Sequence, residues 1–137
     1  MESLAKNFIY IIEDDTTIRE LLVELLESEN YFILSAKNGQ EAIDQLRSMQ
    51  RLPDLLLLDL MMPIKDGIGF REDQVKDSRL KNIPTLLMSA DSDIEAKKVK
   101  MGIKSHLKKP LDIEVLLAVI KAHLFDLPQD SRTTIAT

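Results

Sequence analysis

Five short apolar runs recur along the chain: "FIYII" (8–12), "YFILSA" (31–36), "LLLLD" (55–59), "TLLMSA" (85–90) and "SHLKK" (105–109). None alternates strictly between apolar and polar residues, so none reads as a strand with one wet face. Continuous runs of this length suit strands buried on both faces of a parallel sheet, with helices above and below. The fifth run is largely polar and suits an edge.

Helical spacing fills the gaps between the runs. Ile18, Leu21, Leu22, Leu25 and Leu26 form one stripe, with Arg19, Glu20, Glu24 and Glu27 opposite. Ala42, Ile43, Leu46 and Met49 repeat the pattern before Pro53. A third helix is expected over 66–77, although its periodicity is poor. A fourth is expected from Asp93, as its cap, to Gly102, and a fifth from Asp112 to about Leu124. Five strands alternating with five helices predict a doubly wound α/β domain with right-handed crossovers. One domain over 1–127 is expected, followed by a loose tail over 128–137, "PQDSRTTIAT". Periodicity alone leaves the strand order open.

Composition narrows the function. At 137 residues the chain can bury one real core, and 45% hydrophobic with 30% charged residues is ordinary globular usage. A net charge of −5 argues against direct nucleic-acid binding, and the absence of cysteine excludes disulfides and thiolate metal sites. No apolar run is long enough to span a bilayer, and "MESLAKNFIYIIEDD" lacks the pattern of a signal peptide. A cytoplasmic protein without membrane contact is expected.

In "PDLLLLDLMMP" the most apolar stretch of the chain ends on a carboxylate, Asp59. An acid is costly to bury without partners. Sites in open α/β sheets form beyond the carboxyl ends of the strands. There the first run ends on Glu13, Asp14 and Asp15, the third on Asp59, the fourth on Ser89 and Ala90, and the fifth on Lys109 and Pro110. Taken singly, each has a plain structural reading. The acids can cap helices, with Asp15 the clearest case, and Lys109 can be a solvated turn residue. Together they crowd like charges on one rim.

A hard divalent cation would account for the crowding. Mg²⁺ takes oxygen ligands, which Glu13, Asp14 and Asp59 can supply directly or through water, with a backbone carbonyl just past Asp59. An aspartate beside such a metal can attack phosphorus and form an aspartyl phosphate. Lys109 would neutralise the transferring oxygens, and Ser89 would donate a hydrogen bond to one of them.

The sequence resembles the receiver domains of bacterial two-component response regulators over roughly 8–124. The resemblance rests on "IIEDD" with Glu13 and Asp14, "PDLLLLDLMMPIKDG" with Asp59, Pro63, Asp66 and Gly67, "MSA" with Ser89, and "KKP" with Lys109 and Pro110. It implies a flavodoxin-like, CheY-like sheet of order 2-1-3-4-5. It also implies phosphoryl transfer to Asp59 from a histidine kinase or phosphotransfer protein, as in a phosphorelay. Mg²⁺ would be held by Glu13, Asp14, Asp59 and the Met61 carbonyl, and a cis bond is expected between Lys109 and Pro110. The family's switch pairs the hydroxyl residue with an aromatic on the fifth strand. That aromatic position is His106 here, a departure, and its plain reading is an exposed edge histidine.

Lys97, Lys98, Lys100, Lys104, Lys108 and Lys109 concentrate positive charge near the fourth helix and fifth strand. In "DIEVLLAVIKAHL" Ile113, Leu116, Ile120 and Leu124 suffice to cover a sheet. Val115, Ala118, Val119 and Ala122 then form a second apolar stripe. The resemblance implies that this face binds a downstream protein or a second copy, unless a neighbouring element covers it. About a dozen residues follow the fifth helix, too few for another core, so the signal is expected to pass through protein contacts. Two other readings stay open: a receiver-like binding module without phosphorylation, and a haloacid-dehalogenase-type phosphatase. The latter needs a second acid where Met61 stands.

Overall fold

The computed structural model describes residues 6–125. Strands and helices alternate: β1 Phe8–Ile12, α1 Thr16–Ser28, β2 Phe32–Ala36, α2 Gly39–Ser48, β3 Leu55–Asp59, α3 Gly67–Lys76, β4 Thr85–Ser89, α4 Ile94–Met101, β5 Ser105–Lys108 and α5 Ile113–Phe125. The sheet is parallel throughout, in the order β2-β1-β3-β4-β5. Each expected strand and helix is present, and the polar fifth run is an edge strand. The expected tail from 128 lies outside the described residues.

The pleat explains why the central runs are apolar without interruption. Tyr10, Ile12, Leu56, Leu58 and Leu87 face one core with Ala42, Ile43, Leu46, Phe70 and Ile94. Ile9, Ile11, Leu55, Leu57, Leu86 and Met88 face the other with Leu22, Leu26, Leu116 and Ile120. Every residue of β1, β3 and β4 is buried. Burying each large aliphatic side chain contributes about 1.5–3 kcal/mol, which leaves room for Glu13, Asp59 and Ser89 among the buried polar residues.

The helix starts are set by short polar side chains. Asp15, Asn38 and Asp66 each accept a backbone N–H from the first turn that follows. Asp112 accepts from Glu114 and Val115. Asp93 departs from expectation: it stands at the N-cap of α4 but makes no side-chain cap bond. Asp91 instead accepts the Asp93 N–H at 2.8 Å, because the loop turns two residues earlier.

The poor periodicity of α3 has a physical origin. Its buried face is Gly67, Phe70 and Gln74. The Gln74 amide donates to the carbonyls of Leu80 and Ile83, tying α3 to the entry of β4. In α5 the covering face also differs from the expected one. Leu116, Ile120 and Leu124 are buried, but Ile113 is 49% exposed. Ile113 shares their helical phase but sits in the first turn, and Leu111 and Leu117 pack against the core there instead.

Candidate functional site

Strand order and register assemble the site. Asp59 stands opposite Met88 of β4, and β1 lies on the other side of β3, so the turn at 13–15 comes up beside Asp59. The sheet pattern runs one residue further, with Leu60 N–H donating to the Met88 carbonyl at 3.0 Å. Gly67 N–H then donates to the Leu60 carbonyl at 2.9 Å. A Cβ on Gly67 would lie 2.7 Å from the Asp59 carbonyl oxygen and 2.8 Å from Leu60 Cα, so only glycine lets α3 start this close to β3. The loop carrying Met61 is thereby held over the strand end.

Glu13 has no exposed surface, Asp59 is 3% exposed, and Asp14 is more open. One carboxylate oxygen from each of the three lies within 4.8 Å of the others. Lys109 enters from β5: its Nζ donates to Glu13 Oε1 at 2.8 Å and lies 3.4 Å from Asp59 Oδ1. Its backbone is fixed by a 2.9 Å bond from Lys109 N–H to the Ser89 carbonyl, and the bond to Pro110 is cis, as expected. Met61 N–H points at Asp59 Oδ1 at 3.4 Å. Glu13, Asp14, Asp59, Met61 and Lys109 line one pocket, with Asp15, Ile18, Ala90 and Asp91.

The charges in this pocket do not balance. Burial, then the hydrogen bond and charge of the Glu13 carboxyl, push the Asp59 carboxyl up to about 7, although Lys109 and the Met61 N–H pull the other way. Burial alone would lower the Lys109 ammonium, but its bond to Glu13 and the Asp59 charge outweigh that and hold it above its ordinary value. Three acids face one lysine. An oxygen-only donor set with surplus negative charge fits a hard cation such as Mg²⁺.

The remaining expected residues fall nearby or elsewhere. Ser89 has no exposed surface, and its Oγ accepts the Asp91 N–H at 2.9 Å. His106 is not the freely exposed edge histidine of its plain reading. It stands opposite Leu87 and packs under α4, with Nδ1 buried, without a hydrogen-bond partner, and 3.7 Å from Glu95 Oε2.

The expected contact face is only partly as expected. Val115, Ala118 and Ala122 are exposed, but Val119 is half-buried and packs against the core. The lysine rim is thinner too. Lys97 is bonded to Asp91, Lys98 pairs with Glu95, and Lys109 turns into the acid pocket. Lys104 is exposed. The acids paired with Lys97 and Lys98 lie in "DSDIE", close to these lysines in the fold, and so neutralise part of the rim.

Two contributors to the site did not stand out in the sequence. Asp91 holds Ser89 Oγ through its N–H. Arg19 donates from one guanidinium nitrogen to the carbonyls of Glu13 at 2.9 Å and Asp14 at 3.3 Å. Its position one helical turn past Asp15 was the available signal, since that phase points back toward the strand end.

Comparison with known proteins agrees with this geometry. Residues 9–121 match the response regulator receiver domain family. RpaA, a DNA-binding dual master transcriptional regulator of Synechocystis, is 36% identical over 85% of this chain and 48% of its own length. Protein PilH of Pseudomonas aeruginosa is 33% identical over 85% of this chain and 96% of PilH. A crystal structure of a two-component response regulator from Clostridium difficile aligns with a TM-score of 0.79 at 26% identity, over 90% of this chain and 99% of that one. Against several curated relatives the chain spans about half their length or less.

Proposed function

The chain belongs to the response regulator receiver domain family of two-component signalling, and from that premise we propose that Asp59 is its phosphoacceptor. Receiver domains are signalling modules that take phosphate from histidine kinases. The observation that carries the reading is the placement of Asp59: it is nearly fully buried at the end of the central strand, beside two acids and 3.4 Å from Lys109.

The chemistry follows from these positions. An Asp59 carboxylate oxygen attacks the phosphorus of a donor phosphohistidine, of a kinase or a phosphotransfer protein. The new P–O bond forms as the P–N bond breaks and the imidazole leaves. Lys109, a mobile point charge, moves its ammonium from Glu13 toward the phosphoryl oxygens. Ser89 donates its hydroxyl to one of those oxygens once Oγ gives up the Asp91 N–H. Glu13, Asp14, Asp59 and the Met61 carbonyl would hold Mg²⁺, which when bound neutralises charge on the same oxygens. Any catalysis is limited to the domain's own phosphorylation and dephosphorylation.

The output passes through the face of α4, β5 and α5 to a downstream protein or a second copy. Val115, Ala118 and Ala122 form its apolar centre, Val119 supports them from below, and Lys104 with the paired Lys97 and Lys98 lies at the rim. His106, on the strand between Ser89 and this face, relays the change. No helix among the described residues is long and apolar enough to cross a membrane.

Incubation with a small phosphodonor and Mg²⁺, followed by intact mass, tests the assignment. The wild type gains one phosphoryl group and Asp59→Asn gains none. Equal labelling of the variant would refute it.

A further inference from the structure

We infer that Arg19 is a positioning residue for the metal end of this site, setting the backbone from which Glu13 and Asp14 project. The inference rests on the reading of those acids as Mg²⁺ ligands. Past Ile12 the chain leaves the sheet, and the carbonyls at 13 and 14 need donors from elsewhere. The Arg19 guanidinium supplies them, donating to Glu13 O at 2.9 Å and Asp14 O at 3.3 Å, with a long contact to Thr16 Oγ1 at 3.5 Å. Other bonds complete the turn. Glu13 N–H donates to the Ala36 carbonyl at 3.1 Å, Asp15 N–H to Glu13 Oε2 at 3.2 Å, and Ile18 N–H to Asp15 Oδ1 at 2.9 Å.

Arg19 is itself placed by α1, where its N–H donates to the Asp15 carbonyl at 2.8 Å. One guanidinium nitrogen on a helix thus reaches back and bridges two consecutive peptide carbonyls, and so sets the directions of two carboxylates. Lysine carries its charge on one freely rotating ammonium, without the planar group whose second nitrogen lies against Thr16 Oγ1 and sets the direction of the first.

Two effects of Arg19 oppose each other, which makes the inference testable. As a cation near three acids it should weaken Mg²⁺ binding, whereas as an organiser of the acids it should strengthen it. Outer partners of metal ligands are typically worth 10–100-fold in affinity, more than a partly exposed charge several ångströms away contributes at physiological salt. Positioning should therefore dominate.

The experiment is Mg²⁺ titration of the ¹⁵N-labelled chain, following backbone amides, for wild type, Arg19→Lys, Arg19→Met and Asp14→Ala. Positioning predicts that both Arg19 variants bind Mg²⁺ about tenfold more weakly. It also predicts that, in EDTA, their amide shifts change around 13–16 and otherwise only next to the substituted residue. Tighter binding by Arg19→Met with Arg19→Lys unchanged would show a charge effect alone and overturn the inference. Unaltered binding by both would overturn it, as would a loss confined to Arg19→Met, since a cation without the planar guanidinium would then suffice. If the wild type fails to bind, or Asp14→Ala binds equally well, the metal reading itself fails and takes this inference with it.

Discussion

Lys109 Nζ sits 2.8 Å from Glu13 Oε1, a pair that joins the turn after β5 to the turn after β1 across the carboxyl rim of the sheet. Asp59, the proposed nucleophile, is further from the same ammonium at 3.4 Å. The lysine therefore rests on the more deeply buried acid, with Asp59 the less neutralised of the two.

Removing Lys109 should accordingly cost stability as well as signalling. Lys109→Met leaves Glu13, which has no exposed surface, without its cation. Breaking an enclosed pair typically costs 3–5 kcal/mol. Here the site opens into a pocket, so a loss of about 2 kcal/mol is expected in EDTA. Added Mg²⁺ should recover part of it. Urea denaturation with and without Mg²⁺ measures both, and an unchanged midpoint in EDTA would contradict the pairing.

Asp59→Asn should stabilise the metal-free protein, and by more at higher pH. The sign follows from the direction of the shift. The folded state holds the Asp59 proton more tightly than the unfolded state, with a value of about 7 against about 4 in the unfolded chain. Ionising Asp59 therefore costs folding free energy. The cost is absent below about pH 4, grows as pH rises, and is complete above about pH 7. Asparagine cannot ionise, so its advantage should grow between pH 5 and pH 8 to about 1–3 kcal/mol. Thermal melts in EDTA at the two pH values test this. A variant less stable than wild type at pH 8 would mean that Lys109 compensates the Asp59 charge.

Most of this arrangement was legible in the sequence because parallel strands buried on two faces leave continuous apolar runs, and the polar residue ending each run marks the rim. What stayed hidden depended on contacts between distant segments. Gln74 disguised α3 because a polar side chain fills a buried position by binding two carbonyls. In α5 nearly every position is apolar, so sequence could not separate exposed Val115 from half-buried Val119. Lys97, Lys98 and Lys109 look alike in the chain, yet only Lys109 enters the acid pocket. Asp91 and Asp93 in "DSDIE" both resemble caps, and the cap bond expected of Asp93 is absent.

Ser89→Ala should separate phosphorylation from response. Ser89 Oγ accepts the Asp91 N–H at the start of the loop leading to α4, so the substitution removes one buried hydrogen bond and costs about 1 kcal/mol. Asp59, Lys109 and the acids remain, and phosphorylation measured by intact mass should still go to completion. The amide shifts of α4 and β5 that accompany phosphorylation should shrink. Full-sized shifts in the variant would place the relay outside Ser89.

The half-buried position of Val119 changes which substitution probes the proposed contact face. Val115 is 47% exposed, and an aspartate there keeps its hydration, so Val115→Asp should change stability by no more than about 0.5 kcal/mol. Val119 packs against the core formed with Leu116 and Ile120, and Val119→Asp would bring a carboxylate against apolar side chains. A loss of about 2–3 kcal/mol is expected there. The two variants thus separate folding from binding on one helix. Val115→Asp should accept phosphate at Asp59 normally yet lose phosphorylation-dependent association, whether with a second copy or with a downstream protein. Sedimentation of the phosphorylated protein measures the first case, and pull-down with and without phosphodonor measures the second. Association of phosphorylated Val115→Asp at wild-type strength would move the output surface away from α5.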